Sequence, residues 1–159
     1  MLAFIRDRND AKSVADVFDG LEEAPGRDMF RRIFGAVLTD NGSESSNPEE
    51  LEAETDGARR TRVFYCDPYC AWQKPCVENN HRNLRKVLPK GVSFDTLTQE
   101  TVNLFMSHVN SMLRKGYGDK SAAERFRLAF GKDVLEALGI REIPASEVRL
   151  QPSLAGLRW

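Results

Sequence analysis

Six apolar residues in a row, Ile33-Phe34-Gly35-Ala36-Val37-Leu38, stop abruptly at Asp40-Asn41-Gly42. A strand without polar alternation has no face to offer water, so the run predicts a strand buried on both faces, as in a parallel sheet covered by helices. Asp-Asn-Gly is a turn sequence that closes it. Leu2-Ala3-Phe4-Ile5 and Val63-Phe64-Tyr65 also read as strands, the second stopped by Asp67-Pro68. Between the first two runs, Val14, Val17, Phe18 and Leu21 recur at i, i+3, i+4 and i+7, one face of a helix. Asp10 is its expected N-cap and Pro25-Gly26 its stop. Parallel pairing of residues 2–6 with 33–39 through that helix is an ordinary right-handed crossover.

Further along, a short helix is expected over Pro48 to Glu54, and a longer one from Pro75 to Leu88, with Pro75 in the first turn where its missing N–H costs nothing. The last third reads as helical. Val102, Phe105, Met106, Val109, Met112 and Leu113 form a 3.6-period stripe capped by Thr98. Ser121-Ala122-Ala123-Glu124 is a capping box, and Val134, Leu135 and Leu138 belong to a last helix ending at Gly139. The pattern is α/β with a helical extension. The chain of 159 residues is long enough for a real core, and no uncharged apolar run approaches the ~18–20 residues of a membrane span. Three cysteines are an odd number for a disulfide framework and point to a reducing compartment.

The formal charge of −1 conceals a segregated chain. Residues 1–58 carry 6 Lys/Arg and 14 Asp/Glu, whereas residues 59–159 carry 17 and 10. The second half therefore suits an anionic partner such as nucleic acid, or else neutralises the first half within the chain. Asp40, directly after a strand, stands where parallel sheets gather ligands, although the same residues also make a simple turn. Glu78 shares a helix face with Arg82 and Arg85 at i+4 and i+7, an arrangement that serves a surface salt bridge or a metal-ligating acid flanked by phosphate-binding cations. Cys66, Cys70, Cys76 and His81 have poor zinc spacing, and buried thiols are the better expectation. His108 lies on a helix whose stripe is core, and is expected to be a bystander.

Taken together, the motifs carry a resemblance. Val37-Leu38-Thr39-Asp40-Asn41-Gly42-Ser43-Glu44, Phe64-Tyr65-Cys66-Asp67-Pro68-Tyr69, Trp72-Gln73-Lys74, Glu78-Asn79-Asn80-His81 and Leu88-Pro89-Lys90-Gly91-Val92-Ser93-Phe94-Asp95 resemble the DDE transposase and retroviral-integrase superfamily, and within it the bacterial insertion-sequence transposases of the IS-thirty family. The tail from Leu138-Gly139-Ile140-Arg141 to Leu154 resembles that family's carboxyl end. The resemblance implies a ribonuclease-H-like (integrase catalytic core) α/β fold, incomplete at its amino terminus, over residues 1–95, followed by a helical carboxyl-terminal extension over residues 96–159. It implies DNA cleavage and strand transfer with Mg²⁺ or Mn²⁺, Asp40 and Glu78 being the second and third acids of the triad and the metal ligands. Gln73, Lys74, Arg82, Arg85 and Lys86 would touch the DNA backbone.

The implied partners are DNA and either further copies of the chain or a full-length transposase, in the cytoplasm of a bacterium, with no membrane and no small-molecule cofactor. The family's first acid lies on an opening strand that this sequence does not match. Asp7 and Asp10 follow a different strand, so the expectation is a carboxyl-terminal piece of a transposase, inactive alone. Ser45 stands where the family usually has an aromatic, Pro75 where it often has glycine, and Ser121-Ala122 where it often has Thr-Pro. A sheet lacking its central strands leaves backbone groups unpaired at about 1–3 kcal/mol each when buried, so low stability or self-association is expected.

Overall fold

The computed structural model describes residues 1–40, 42, 47–53, 57–67, 70–73 and 75–156, except for the side chains of residues 71, 75, 76 and 78. The fold is mixed α/β, mostly helical, with two small two-stranded sheets among the described residues. It divides into two compact units, Arg6–Gln73 and Met1–Ile5 with Lys74–Trp159. The 75–87 helix shares its core with the helices that follow it.

The first unit opens with α1 (Ala11–Glu23), capped as expected by Asp10, whose carboxylate accepts from the Ser13 N–H at 2.8 Å. Those Ser13 hydrogen bonds hold the Asp10 carboxyl below its ordinary range. The expected apolar face is the inner one, with Leu21 buried and Phe18 edge-on to Phe30 at 6.2 Å between ring centres. A helix not foreseen in the sequence, α2 (Arg27–Ile33), places Phe30 fully inside. Gly35 then turns the chain where a Cβ would lie 2.8 Å from the Arg31 carbonyl oxygen.

Only three residues of the apolar run and its end form a strand, β1 (Val37–Thr39). After α3 (Pro48–Glu52) it pairs in parallel with β2 (Val63–Tyr65), Val37 opposite Val63, Leu38 opposite Phe64 and Thr39 opposite Tyr65. Val37 N–H donates to the Arg62 carbonyl and Cys66 N–H to the Thr39 carbonyl, both at 2.8 Å. The expected burial on both faces is not realised: Leu38 and Phe64, register partners on one face, are 47% and 53% exposed.

Arg60, just before β2, is the hub of this unit. It is buried, and its guanidinium donates to the Leu51 carbonyl (2.9 Å), the Glu50 carbonyl (3.0 Å), Glu22 Oε2 (2.9 Å) and Asp19, and lies 5.8 Å from the centre of the Phe18 ring. One side chain thus ties α1 to α3. Glu52 carries the join onward, its carboxylate accepting the Val63 N–H at 2.8 Å.

The second unit contains α4 (Pro75–Val87), α5 (Gln99–Ser111), a hairpin of β3 (Leu113–Arg114) and β4 (Lys120–Ser121), α6 (Ala122–Phe130) and α7 (Lys132–Ala137). The stripe is core as its period predicts: Phe105, Met106 and Val109 are fully buried, with Val87, Leu135 and Ile140 also buried. Thr98 and Ser121 cap α5 and α6 as expected, accepting from the Thr101 N–H at 3.2 Å and the Glu124 N–H at 3.0 Å. The stripe stops short of its expected length because α5 gives way to β3, leaving Leu113 exposed. Gly139, at φ +74°, approaches so closely that a Cβ would lie 2.5 Å from Asn103 Nδ2.

Polar residues of α5 organise the tail. Ser107, Ser111 and His108 accept the backbone N–H groups of Arg141, Ile143 and Arg149 at 3.0, 2.9 and 3.3 Å. His108 is therefore no bystander: its Nδ1 is a buried acceptor, and burial, aided by nearby Arg149, lowers its pKa against the opposing effect of Glu147.

Residues 2–5 are not a strand, and they do not pair with 33–39. Gln99 Oε1 accepts the Ile5 N–H and Gln99 Nε2 donates to the Ala3 carbonyl, both at 3.0 Å, while Asn110 Nδ2 donates to the Met1 carbonyl at 2.7 Å. Met1, Leu2 and Ala3 pack against the helical core. A short apolar run answers equally to a sheet and to a helical cluster, and side-chain amides supplied the hydrogen bonds that a strand neighbour would have made. Among the described residues no helix is long and apolar enough to cross a membrane.

Candidate active-site edge and basic helix

Parallel strands present their carboxyl ends at one edge, and here that edge carries acids. Asp40 follows β1 directly and is exposed. On the neighbouring strand Tyr65 is the register partner of Thr39, and Cys66 and Asp67 follow it. In the sequence Asp67 stands out only as a strand stop. The signal for it was the same one used for Asp40, an acid immediately past a strand of a parallel pair.

Asp67 is tied down by Gln73, one of the residues expected on DNA. Gln73 Oε1 accepts the Asp67 N–H at 2.9 Å, and Gln73 Nε2 donates to Asp67 Oδ2 at 2.8 Å. Both ends of the amide are thus engaged within the loop after β2, where Gln73 N–H also donates to the Cys70 carbonyl at 3.0 Å. Beside it, Trp72 is 74% exposed. Cys66 is buried and Cys70 half-buried, and among the described residues neither forms a disulfide.

Glu78 is in the first turn of α4, in the second compact unit, whereas Asp40 belongs to the first. The side chain of Glu78 and all of Lys74 lie outside the described residues. Farther along α4, Arg82, Arg85 and Lys86 are all exposed on one helix, and none of them makes an ion pair with a described carboxylate. Arg85 Nη1 reaches the Leu88 carbonyl at 3.5 Å, the outer limit of a hydrogen bond. The structure therefore carries three of the four cations of the expected DNA-binding set on α4, with Lys74 outside the described residues, and ties Gln73 to Asp67.

The donors at the strand edge are carboxylate oxygens, the hard ligands that suit Mg²⁺ rather than zinc or copper. Among the described residues no three His, Cys, Asp or Glu side chains cluster as metal ligands. The residues weighed for zinc are divided, Cys66 and Cys70 in the first unit, Cys76 and His81 in the second.

No family model and no solved structure matches the chain. Curated proteins do, and they are insertion-sequence transposases and a putative integrase. The transposase for insertion sequence element IS4351 of Bacteroides fragilis is 25% identical over 97 residues, 61% of this chain and 28% of that protein. The transposase for IS1086 of Cupriavidus metallidurans is 36% identical over 76 residues, 48% of this chain and 21% of that protein. Transposase InsI for IS30A of Escherichia coli K12 is 27% identical over 89 residues, 56% of this chain and 22% of that protein. The chain is thus similar to insertion-sequence transposases, the group its motifs resemble, and spans between about a fifth and somewhat over a quarter of the length of these relatives.

Proposed function

We propose that this chain is part of the catalytic core of a DNA transposase with a ribonuclease-H-like fold, in which Asp40 and Glu78 are the second and third acids of a metal-binding triad. The observation that carries the reading is the parallel β1–β2 pair. It sets Asp40 at the carboxyl edge of a sheet, in a chain whose relatives are named transposases. Asp40 and Glu78 would hold Mg²⁺ or Mn²⁺, which when bound activates the attacking oxygen and stabilises the leaving one. Arg82, Arg85 and Lys86 on α4 hold the phosphate backbone, Lys74 adds to them, and Gln73 fixes the loop that carries Asp67. The first acid comes from a further polypeptide segment.

The test is nicking of a labelled DNA duplex in Mg²⁺ by the chain supplied with the amino-terminal segment of a relative. Nicking that disappears with Asp40→Asn and with Glu78→Gln supports the reading, and nicking unchanged by both substitutions overturns it. A second reading, a non-catalytic fragment that binds DNA or an intact transposase, is favoured by one feature of the fold. Among the described residues no strand pairs with the other side of β1, so that edge offers a ladder to a strand of another polypeptide. Co-purification with an intact family transposase, without nicking, distinguishes it.

A further inference from the structure

Within the helical unit, the hairpin joining α5 to α6 concentrates a kind of surface that neither the fold nor the acid pair explains. β3 and β4 are two residues each, and between them Lys115–Tyr117 makes a 3-10 turn closed by Gly118 at φ +67° and Asp119 at φ +55°. Two guanidinium groups from different elements converge on the Tyr117 ring, Arg114 of β3 at 5.5 Å and Arg125 of α6 at 4.8 Å from its centre. Tyr117 remains 37% exposed, and Lys115, Lys120 and Arg125 are exposed around it.

Ion pairing separates these cations into two kinds. Lys120 is paired with Glu124 at 2.6 Å. Arg114, Lys115 and Arg125 have no ion pair among the described residues, and besides Glu124 only Asp119 is an acid between residues 113 and 125. Arginines held against an aromatic ring lose little further freedom when they meet an anion, and their planar forks match phosphate oxygens. Around them the backbone is open: a Cβ added at Gly116 or Gly118 would meet nothing within 4 Å. Fixed cations, an accessible aromatic and an unobstructed tip fit an extended polyanion that has both phosphates and stackable bases.

We propose that the 113–125 hairpin is a nucleic-acid contact separate from α4, with Arg114, Lys115 and Arg125 on the phosphate backbone and Tyr117 fixing the two arginines. It rests on the DNA partner proposed above but not on the metal site. An acidic protein surface could meet the same charges, but the partly exposed ring and the forked donors favour the nucleic acid.

The experiment uses the full chain, in EDTA, with fluorescein-labelled duplex and single-stranded oligonucleotides, and measures affinity by anisotropy between 50 and 200 mM salt. Arg114→Gln/Lys115→Gln/Arg125→Gln should weaken binding on the order of 10-fold or more at the lower salt. It should also flatten the slope of log affinity against log salt by roughly two to three, about 0.9 for each duplex phosphate that is no longer neutralised. Lys115→Gln alone, which leaves both arginine–ring contacts in place, should flatten the slope by about 0.9, so the proposal stays testable if the triple variant disturbs the hairpin. Asp119→Asn, with a side chain well suited to positive φ, should tighten binding.

The proposal is overturned by an unchanged affinity and slope in the triple variant and in Lys115→Gln, or by no binding of either oligonucleotide by the natural chain. It is equally overturned if the triple variant alters self-association while leaving DNA affinity untouched, which would assign the surface to an acidic protein face. Because metal is excluded, hairpin-dependent binding that persists in Asp40→Asn and Glu78→Gln separates this proposal from the fate of the catalytic reading.

Discussion

The helical unit closes around the buried Phe105, Met106 and Val109, whereas the Arg6–Gln73 unit closes around Phe30 and a buried arginine; large apolar side chains stay exposed in both, among them Leu104 and Leu128 in the one and Phe64 and Trp72 in the other. In the first, a sustained 3.6-residue period gives one apolar stripe, and caps and tail contacts finish it. In the second, a two-stranded sheet is too small to bury its own faces. Phe30 and the Arg60 network supply what the sheet cannot. A small chain can thus carry two solutions to stability: burial dispersed over an apolar stripe, and a polar hub in which one guanidinium joins several elements.

The comparison can be broken from either side. The largest effect is expected for Phe105→Ala, which should destabilise the helical unit by about 3–5 kcal/mol, the usual cost of emptying a large aromatic site. Urea unfolding followed by hydrogen exchange should show the loss in α5 and its neighbours. Next comes Arg60→Ala. It removes one of the two cations on the buried Glu22 carboxylate, whose other oxygen keeps Arg27 at 3.4 Å, and leaves two backbone carbonyls without their donor, for about 3 kcal/mol, toward the low end for a broken buried pair because Arg27 remains and Asp19 is two-thirds exposed. Exchange should then accelerate across α1 and α3; an unchanged pattern would refute the hub.

The smallest effect sharpens the comparison by pH. His108 has a folded pKa below its unfolded value, so in acid the folded state binds fewer protons than the unfolded chain does. Its contribution is fully present above about pH 6.5 and declines as pH falls through that value toward the folded pKa. Acid should therefore loosen the tail at Arg149 first, read as faster exchange of the Arg149 amide. His108→Gln, whose side chain does not titrate, should flatten that dependence.

The helices were largely legible in the sequence because their signals are local. Asp10, Thr98 and Ser121 cap helices that begin where the spacing says, since a cap needs only a side chain and an amide three residues on. The candidate site was legible in part, for the opposite reason. Asp40 and Glu78 could be singled out from motif residues, but Asp67 and its clamp by Gln73 depend on which strands pair and in what register. The Arg114–Tyr117–Arg125 cluster joins β3, a turn and α6 across a hairpin hidden by the continuing apolar period through Leu113.

The amino-acid order alone therefore determined the helical faces, their starts, and the likeness to insertion-sequence transposases, all properties of residues near one another along the chain. Tertiary structure decided the rest. It turned Leu2–Ile5 from an expected strand into a segment bonded by Gln99 and Asn110, shortened the strand expected over the 33–38 run to three residues, and made His108 an acceptor for the tail. The reason is that apolar residues specify burial without specifying a partner. Backbone donors take whichever acceptor the packed chain brings within reach, and only the assembled fold makes that choice.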